Sequence, residues 1–221
     1  MIPPEHDAAF VAAMEDVLAV YHRDLPEGTA LVCLDESSKQ LLSETRTPVP
    51  CAPGQAARYD YEYERQGTAA LFMVFDPIRA WREVVVRARR TAVDFAHVVR
   101  ELLTGPYADY ERVVLVMDNL NTHETASLYK AFPAPEARAL AERLEIHYTP
   151  KHGSWLNMAE IELSVLGRQC LNRRIDSAEV LAAESLAWSS RRNAASATIS
   201  WRFTVEEARI KLRHLYPSIE A

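Results

Sequence analysis

The chain of 221 residues has the size and composition of one substantial globular domain, and its apolar runs are far shorter than a membrane span. It lacks the basic and apolar start of a signal peptide, and its three cysteines are widely separated, so we expect a cytoplasmic protein with reduced thiols and no membrane partner. The net charge of −6 excludes a protein that is basic throughout, but residues 163–221 hold nine basic and six acidic residues.

The first half of the chain predicts a helix followed by an antiparallel group of strands. Apolar side chains recur at helical spacing over residues 5–22. The apolar run 29–34 is typical of a buried strand, and Asp35 follows it directly. Further segments follow in this order: a strand that pairs back over residues 39–45, a long irregular loop over 46–66, and a hairpin of strands over 68–75 and 81–88.

In the second half, strands alternate with helices. Thr91 is placed to cap a helix that ends before Gly105, and the apolar run 113–117 is typical of a strand buried on both faces. That strand ends directly before Asp118. Helices around residues 122–131 and 135–144 and a short strand over 146–148 come next. This order of elements predicts an α/β fold with a mixed sheet flanked by helices.

A loop after Pro150 leads into one more helix. Ser154 is placed to cap this helix, which carries Asn157 and Glu160 in its first turns. A helix over residues 177–189 follows, and a capping box at Thr204 opens the last one. We predict three parts of the chain: a helical lead-in over residues 1–28, a main domain over 29–175 and a helical extension over 176–221.

Three carboxylates, Asp35, Asp118 and Glu160, each stand at a strand end or at the start of a helix. Side chains just past strand ends face the open crevice at the edge of a sheet. Carboxylate oxygens are the ligands that Mg²⁺ prefers, and two ions held roughly 3.5–4 Å apart suit phosphodiester chemistry. The three positions therefore predict a metal site.

Two of these acids also have a simpler structural interpretation. Asp35 can be a turn residue, because the stretch 36–39 that follows it is turn-like. Asp118 can belong to a cap of the next helix. The sequence positions of Asp35 and Asp118 alone do not show whether these two acids are structural or bind a metal.

Glu160 has a rival in Glu162, two residues further along the same helix. On a helical wheel Glu160 shares a polar arc with Asn157, Ser164 and Arg168, whereas Glu162 shares the other arc with Gln169 and Arg173. Both arcs interrupt an otherwise apolar helix. Periodicity does not choose between the two acids.

Other polar residues around the three acids are candidates for supporting roles. His123 lies about one turn beyond Asp118, where it can orient that carboxylate or a phosphate, although a lone histidine is more often structural. Basic and aromatic residues near Glu160 are candidates for DNA contact. They are Lys151, His152, Trp155, Arg168, Arg173 and Arg174, of which Trp155 is equally well explained as a core aromatic.

Together, three motifs resemble the catalytic domain of DDE transposases of the mariner superfamily, in its bacterial insertion-sequence branch. They are Asp35 after the first strand, Asp118-Asn119 with His123 after a central strand, and Leu156-Asn157-Met158-Ala159-Glu160 on a helix. The resemblance runs from about Ala30 to Asn172. It covers most of the predicted main domain.

The resemblance implies an RNase H-like fold and a DDE catalytic domain over residues 29–175. It further implies that Asp35, Asp118 and Glu160 bind Mg²⁺ or Mn²⁺, with two ions expected, and that Asn119, His123 and Asn157 support them. The partners would be DNA, as transposon ends and target, and a second copy in a homodimer. No helix-turn-helix pattern precedes the first strand, so end recognition is expected to come from elsewhere.

Three other functions stay open at the level of sequence. One is an RNase H-like nuclease that cuts without joining, and another is a truncated remnant that binds DNA without catalysis. A phosphoacceptor domain, suggested by an aspartate after the strand over 113–117, lacks a matching acidic pair and switch lysine.

Overall fold

A mixed five-stranded sheet organises the chain in the computed structural model, which describes residues 7–217. The strands lie in the order β3-β2-β1-β4-β5, and β1, β4 and β5 run parallel, whereas β2 is antiparallel to both β1 and β3. The prediction of a mixed sheet flanked by helices is confirmed. The strands are β1 (Thr29–Glu44), β2 (Tyr63–Asp76), β3 (Trp81–Arg87), β4 (Arg112–Met117) and β5 (Leu144–Tyr148).

Strand β1 is longer than expected and runs straight through Asp35. The predictions that the strand ends before Asp35 and that residues 39–45 pair back on it were both wrong. Strand β2 pairs with β1 from Cys33↔Phe75 to Glu44↔Tyr63, with one register shift after Leu41. In this long ladder the backbone of residues 36–39 pairs with β2, so the turn-like stretch is extended. Asp35 is therefore not a turn residue.

The β2–β3 hairpin across Asp76-Pro77 is confirmed. Strand β2 begins at Tyr63, five residues earlier than predicted, so the loop between β1 and β2 is shorter than residues 46–66. This loop holds two isolated bridges, Val49↔Arg58 and Ala52↔Gln55.

Helices α2 (Ala92–Thr104), α3 (Ala126–Ala131) and α4 (Ala134–Glu142) cover one face of the sheet. The predicted Thr91 cap is confirmed as a capping box with Asp94. Helix α3 is shorter than expected because residues 121–125 form turns and bends. Helix α4 ends at Glu142, so Leu144 already belongs to β5. Their apolar side chains pack on Val32, Leu34, Phe72 and Val74 of the sheet.

The opposite face is covered by the first helix and the C-terminal ones. These are α1 (Ala8–His22), α5 (Met158–Leu166), a π-helical turn (Gly167–Leu171), α6 (Ala178–Ala194) and α7 (Val205–Lys211). Met14 and Leu18 of α1 and Trp188 of α6 are fully buried with Cys33 and Met73 of the sheet. The predicted lead-in and extension therefore contribute to one core with the main domain. Residues 5 and 6 of the first predicted helix lie outside the described part of the chain.

Side-chain alternation along β1 assigns its residues to the two faces. Leu31 and Cys33 point to the α5 side, whereas Val32 and Leu34 point to the α2 side. Asp35 continues the first series and Glu36 the second. All three cysteines are free, and no helix within residues 7–217 is long and apolar enough to cross a membrane.

Candidate active site

The start of helix α5 is fixed to strand β1 by Asn157. This residue is the N-cap of α5, and its Oδ1 accepts a hydrogen bond from Ala159 N at 3.0 Å. Its Nδ2 donates to the carbonyl oxygen of Leu34 at 2.8 Å. The buried amide therefore ties the helix to the backbone one residue before Asp35. The predicted Ser154 cap was wrong, because Ser154 lies in a short 3₁₀ turn (Ser154–Leu156) that precedes the helix.

Glu160 and Glu162 have different surroundings. Glu160 lies in the first turn of α5 and is partly exposed, and its Oε2 is buried without a hydrogen-bond partner in the described part of the chain. Glu162 is fully buried between two arginines, 3.0 Å from Arg82 Nε and 2.8 Å from Arg192. Glu160 thus has a free carboxylate oxygen, whereas Glu162 is committed to a structural ion-pair network.

The two wheel arcs of this helix face different parts of the molecule. Gln169 and Arg173, which share the arc of Glu162, contact Trp188 and Glu184 of α6. Ser164 and Arg168, on the arc of Glu160, are exposed. The Glu162 arc therefore contacts α6, whereas on the Glu160 arc Asn157 is buried against β1 and the later residues Ser164 and Arg168 face solvent.

Asp35 lies close enough to Asp118 and Glu160 for their negative charges to raise its pKa. Burial raises the pKa of Asp35 to about 7, and the negative charges of Asp118 and Glu160 add to this effect. A hydrogen bond from Glu36 N to Asp35 Oδ1 at 2.8 Å acts in the opposite direction. The three predicted acids therefore share one electrostatic environment.

Asp118 follows β4 directly, and its side chain is 32% exposed. It does not cap the next helix, because α3 begins only after Thr125, which makes no side-chain cap bond. Asn119 beside it is exposed. The side chain of Asp118 instead contacts His123.

His123 is completely buried and lies between two carboxylates. Its Nδ1 is 2.5 Å from Asp118 Oδ1, an ion-pair contact, and 3.2 Å from the Asp118 carbonyl oxygen. Its Nε2 is 2.9 Å from Glu36 Oε1. Burial opposes a charged imidazolium, but the contacts with Asp118 and Glu36 outweigh it and raise the pKa of His123 to about 9.

Glu36 is the site residue that sequence reasoning missed. It directly follows Asp35 on a strand, so its side chain points to the α2 face, where His123 packs on Phe95 with ring centroids 4.9 Å apart. The Glu36 side chain is only 2% exposed. The alternation of β1 would have predicted this placement once the strand was known to continue past Asp35.

The chain was compared with known protein families and with curated protein sequences. Residues 30–182 match the family described as DDE superfamily endonuclease. The chain belongs to this family. A comparison with curated protein sequences found no match.

Several solved structures of the mariner transposase Mos1 share the fold of this DDE endonuclease domain. The paired-end complex with Mn has 17% sequence identity and a TM-score of 0.55 over 89% of this chain and 60% of the Mos1 chain. The Mos1 strand transfer complex has 16% identity and a TM-score of 0.56 over 85% of this chain and 56% of that one. The predicted RNase H-like fold is confirmed, and the chain spans about 60% of the length of Mos1.

An open cleft of about 520 Å³ lies beside Asp118 in the DDE domain. Its lining includes Asn119, Thr149, Lys151, His152 and Ser154. Lys151 and His152 are exposed. The loop is tight because Gly153 N bonds to Pro150 O at 2.8 Å, and a Cβ at Gly153 would come within 2.5 Å of Pro150 Cγ. Glycine at this position therefore allows the loop to turn back toward Asp118.

The other predicted DNA contacts have different surroundings. Trp155 is partly buried against Phe203, with ring centroids 5.9 Å apart, and Arg168 is exposed. Arg173 pairs with Glu184 at 2.6 Å. Arg174 pairs with Glu44 at 2.5 Å and donates to the carbonyl oxygens of Tyr61 and Glu62, so it fastens the loop between β1 and β2.

The donor set of the site suits a hard divalent cation. Asp35, Asp118 and Glu160 supply carboxylate oxygens, and the buried Oε2 of Glu160 has no other partner among the described residues. In this structure no group of three or more His, Cys, Asp or Glu side chains between residues 7 and 217 is arranged to hold a metal ion. The three acids therefore fit a metal by the chemistry of their oxygens, and their side chains would have to rotate to bind one ion together.

Proposed function

We propose that this chain is the catalytic domain of a transposase that cuts DNA at transposon ends and joins them to target DNA. The observation that carries this proposal is the link from Asn157 to Leu34 O, which brings the Glu160 helix against the strand that carries Asp35. Family membership supports the same reaction class. Mos1 structures described as paired-end and strand transfer complexes have the same fold.

In this proposal Asp35, Asp118 and Glu160 hold two Mg²⁺ or Mn²⁺ ions. Mos1 complexes have been solved with Mn and with Mg. When bound, such ions supply activation of the attacking oxygen and stabilisation of the leaving oxygen. In the proposed reaction, water breaks a phosphodiester bond at the DNA end, and the freed 3′-hydroxyl then attacks a phosphodiester of target DNA.

The chain's own residues would orient the reacting groups. His123 holds Asp118 from the buried side, and Asn157 holds the start of α5. Lys151 and His152, at the cleft beside Asp118, are proposed to contact the DNA backbone, together with exposed Arg168 in the π-helical turn that follows α5. Asn119 and Trp155 are proposed to support the same surface.

The proposal also covers the branch of the family to which the chain belongs and its oligomeric state. We place the chain in the bacterial insertion-sequence branch because its three motifs, including Leu156-Asn157-Met158-Ala159-Glu160, resemble that branch. We propose a homodimer as the active species, because Mos1 forms paired-end complexes. Sedimentation of the purified protein with end DNA tests the dimer.

The test is Mn²⁺-dependent cleavage of labelled plasmid DNA by the purified chain, with strand-transfer products scored separately. Asp118→Asn and Glu160→Gln are each expected to lower the cleavage rate by about 100-fold or more while the fold is kept, because each removes a charged ligand. Glu27→Gln, at an exposed carboxylate outside the site, serves as the matched control and is expected to cut normally.

Cleavage without joined products would support a nuclease instead of a transposase. If the unmodified protein neither cuts DNA nor binds Mn²⁺, the catalytic proposal is wrong.

A further inference from the structure

Glu36 and His123 form a buried pair directly beneath the proposed metal site. The side chains are 2% and 0% exposed, and Glu36 Oε1 lies 2.9 Å from His123 Nε2. A buried carboxylate with a buried imidazole is costly to desolvate, so the pair needs compensating contacts. One of those contacts joins His123 to Asp118.

The imidazole ring of His123 is held from several sides. Tyr148 OH donates to the His123 carbonyl oxygen at 2.6 Å, and Phe95 packs on the ring. These contacts fix the backbone and the plane of the ring. Glu36 is the one hydrogen-bond partner of Nε2 among the described residues, so it selects between the two ring orientations that a half-turn about the Cβ–Cγ bond would exchange.

The ring orientation in turn positions Asp118. With Nε2 on Glu36, Nδ1 points at Asp118 and lies 2.5 Å from its Oδ1. This contact fixes one carboxylate oxygen and leaves the other for the cleft. Carboxylate–histidine pairs behind a metal ligand orient that ligand, and their loss typically costs 10–100-fold in metal affinity or activity.

We propose that Glu36 is a positioning residue that acts through His123 to hold Asp118 in the orientation that binds the divalent metal. This inference rests on the proposed function, since it assigns Asp118 to the metal. It adds a fourth acid to the site, one that touches neither metal nor DNA. Strand β1 thus serves the site from both faces, with Asp35 on one and Glu36 on the other.

The experiment measures Mn²⁺ affinity directly, from the free-ion electron paramagnetic resonance signal, on the full chain. Glu36→Leu keeps the volume but removes the acceptor, and it is expected to weaken Mn²⁺ binding about 10-fold. Glu36→Gln keeps an oxygen that accepts from His123 Nε2–H and is expected to stay within about 3-fold of the unmodified protein. Asp76→Asn, at another buried carboxylate that bonds Tyr107 away from the site, is the matched control for lost stability.

A double-mutant cycle separates action through His123 from a direct effect. In a His123→Phe background, where the ring shape is kept without its nitrogens, Glu36→Leu is expected to weaken Mn²⁺ binding by less than about 2-fold more. Folding of each variant is checked by circular dichroism, and Glu36→Gln provides the comparison if Glu36→Leu does not fold.

Several results would overturn the proposal. Unchanged affinity in folded Glu36→Leu means that Glu36 does not position Asp118. Equal loss in Glu36→Gln and Glu36→Leu, or full additivity in the cycle, means that Glu36 acts on the metal directly. If the unmodified protein binds no Mn²⁺, the proposed metal function itself fails, and the positioning role fails with it.

Discussion

At the scale of single residues, the site places buried titratable groups beside other charges: Asp35 beside Asp118 and Glu160, and His123 beside Asp118 and Glu36. Asp35 has a pKa raised to about 7 by burial and by its acidic neighbours, and His123 has a pKa raised to about 9 by Asp118 and Glu36 despite its burial. In both cases the folded state binds its proton more tightly than the unfolded chain. Stability in metal-free protein must therefore fall as pH rises through these values.

This predicts a melting temperature that declines between pH 5 and pH 9 in chelator. Asp35 contributes the loss between its unfolded value near 4 and about 7, and His123 contributes the loss between about 6.5 and 9. Asp35→Asn is expected to flatten the lower part of the curve and leave the upper part. Because a metal replaces the proton on Asp35, Mn²⁺ affinity should rise over the same lower range. A melting temperature independent of pH from 5 to 9 would contradict these pKa values.

At the scale of elements, helix α5 is held from both sides. Asn157 ties its first turn to β1, and Glu162 binds Arg82 of β3 and Arg192 of α6. Arg82 is itself fully buried, and its backbone and side chain bond Asn193 near the end of α6. Helix α6 therefore contributes to the placement of Glu160 although it lies outside the three motifs.

Glu162→Gln is expected to lower the free energy of unfolding by about 3 kcal/mol, because it leaves the buried Arg82 charge without its full partner. The variant should still bind Mn²⁺ with nearly normal affinity at a temperature where it is folded, since its carboxylate faces away from the cleft. Urea unfolding with Glu27→Gln as the exposed control gives the stability. Normal stability combined with lost metal binding would instead restore Glu162 as the third acid.

The same elements show where sequence reasoning succeeds and where it stops. Local signals sufficed for the Thr91 N-cap, for the Thr204 capping box and for the apolar run of β4. The continuation of β1 through Asp35 depends on pairing with β2, a non-local contact that overrides the turn-like stretch after it. Likewise the choice of Glu160 over Glu162 depends on Arg82 and Arg192, which are far away in sequence.

At the scale of the whole molecule, much of the basic character of the C-terminal region is neutralised internally. Arg209 pairs with Glu15 of α1, Arg192 with Glu162, and Arg173 with Glu184. These pairs join α7 to α1, α6 to α5, and the segment after the π-helical turn to α6. The local excess of basic residues along the sequence is therefore a poor guide to the proposed DNA-binding surface.

The cleft beside Asp118 is a better guide to the proposed DNA-binding surface. We therefore expect different effects from substitutions at two predicted DNA contacts, Lys151 and Arg174. Lys151→Ala should weaken DNA binding and reduce the slope of log affinity against log salt by about 1, because one exposed cation leaves the cleft without loss of structure. Arg174→Ala should mainly lower the melting temperature, because its guanidinium bonds Glu44 and the backbone of the β1–β2 loop. Arg213→Ala, at an exposed arginine of the last 3₁₀ turn, is the control that should change neither quantity much. Fluorescence anisotropy across a salt series, with melting curves on the same samples, separates the effect on DNA binding from the effect on stability. A reduced salt slope in Arg174→Ala at unchanged stability would instead mean that Arg174 leaves Glu44 and contacts the DNA phosphates.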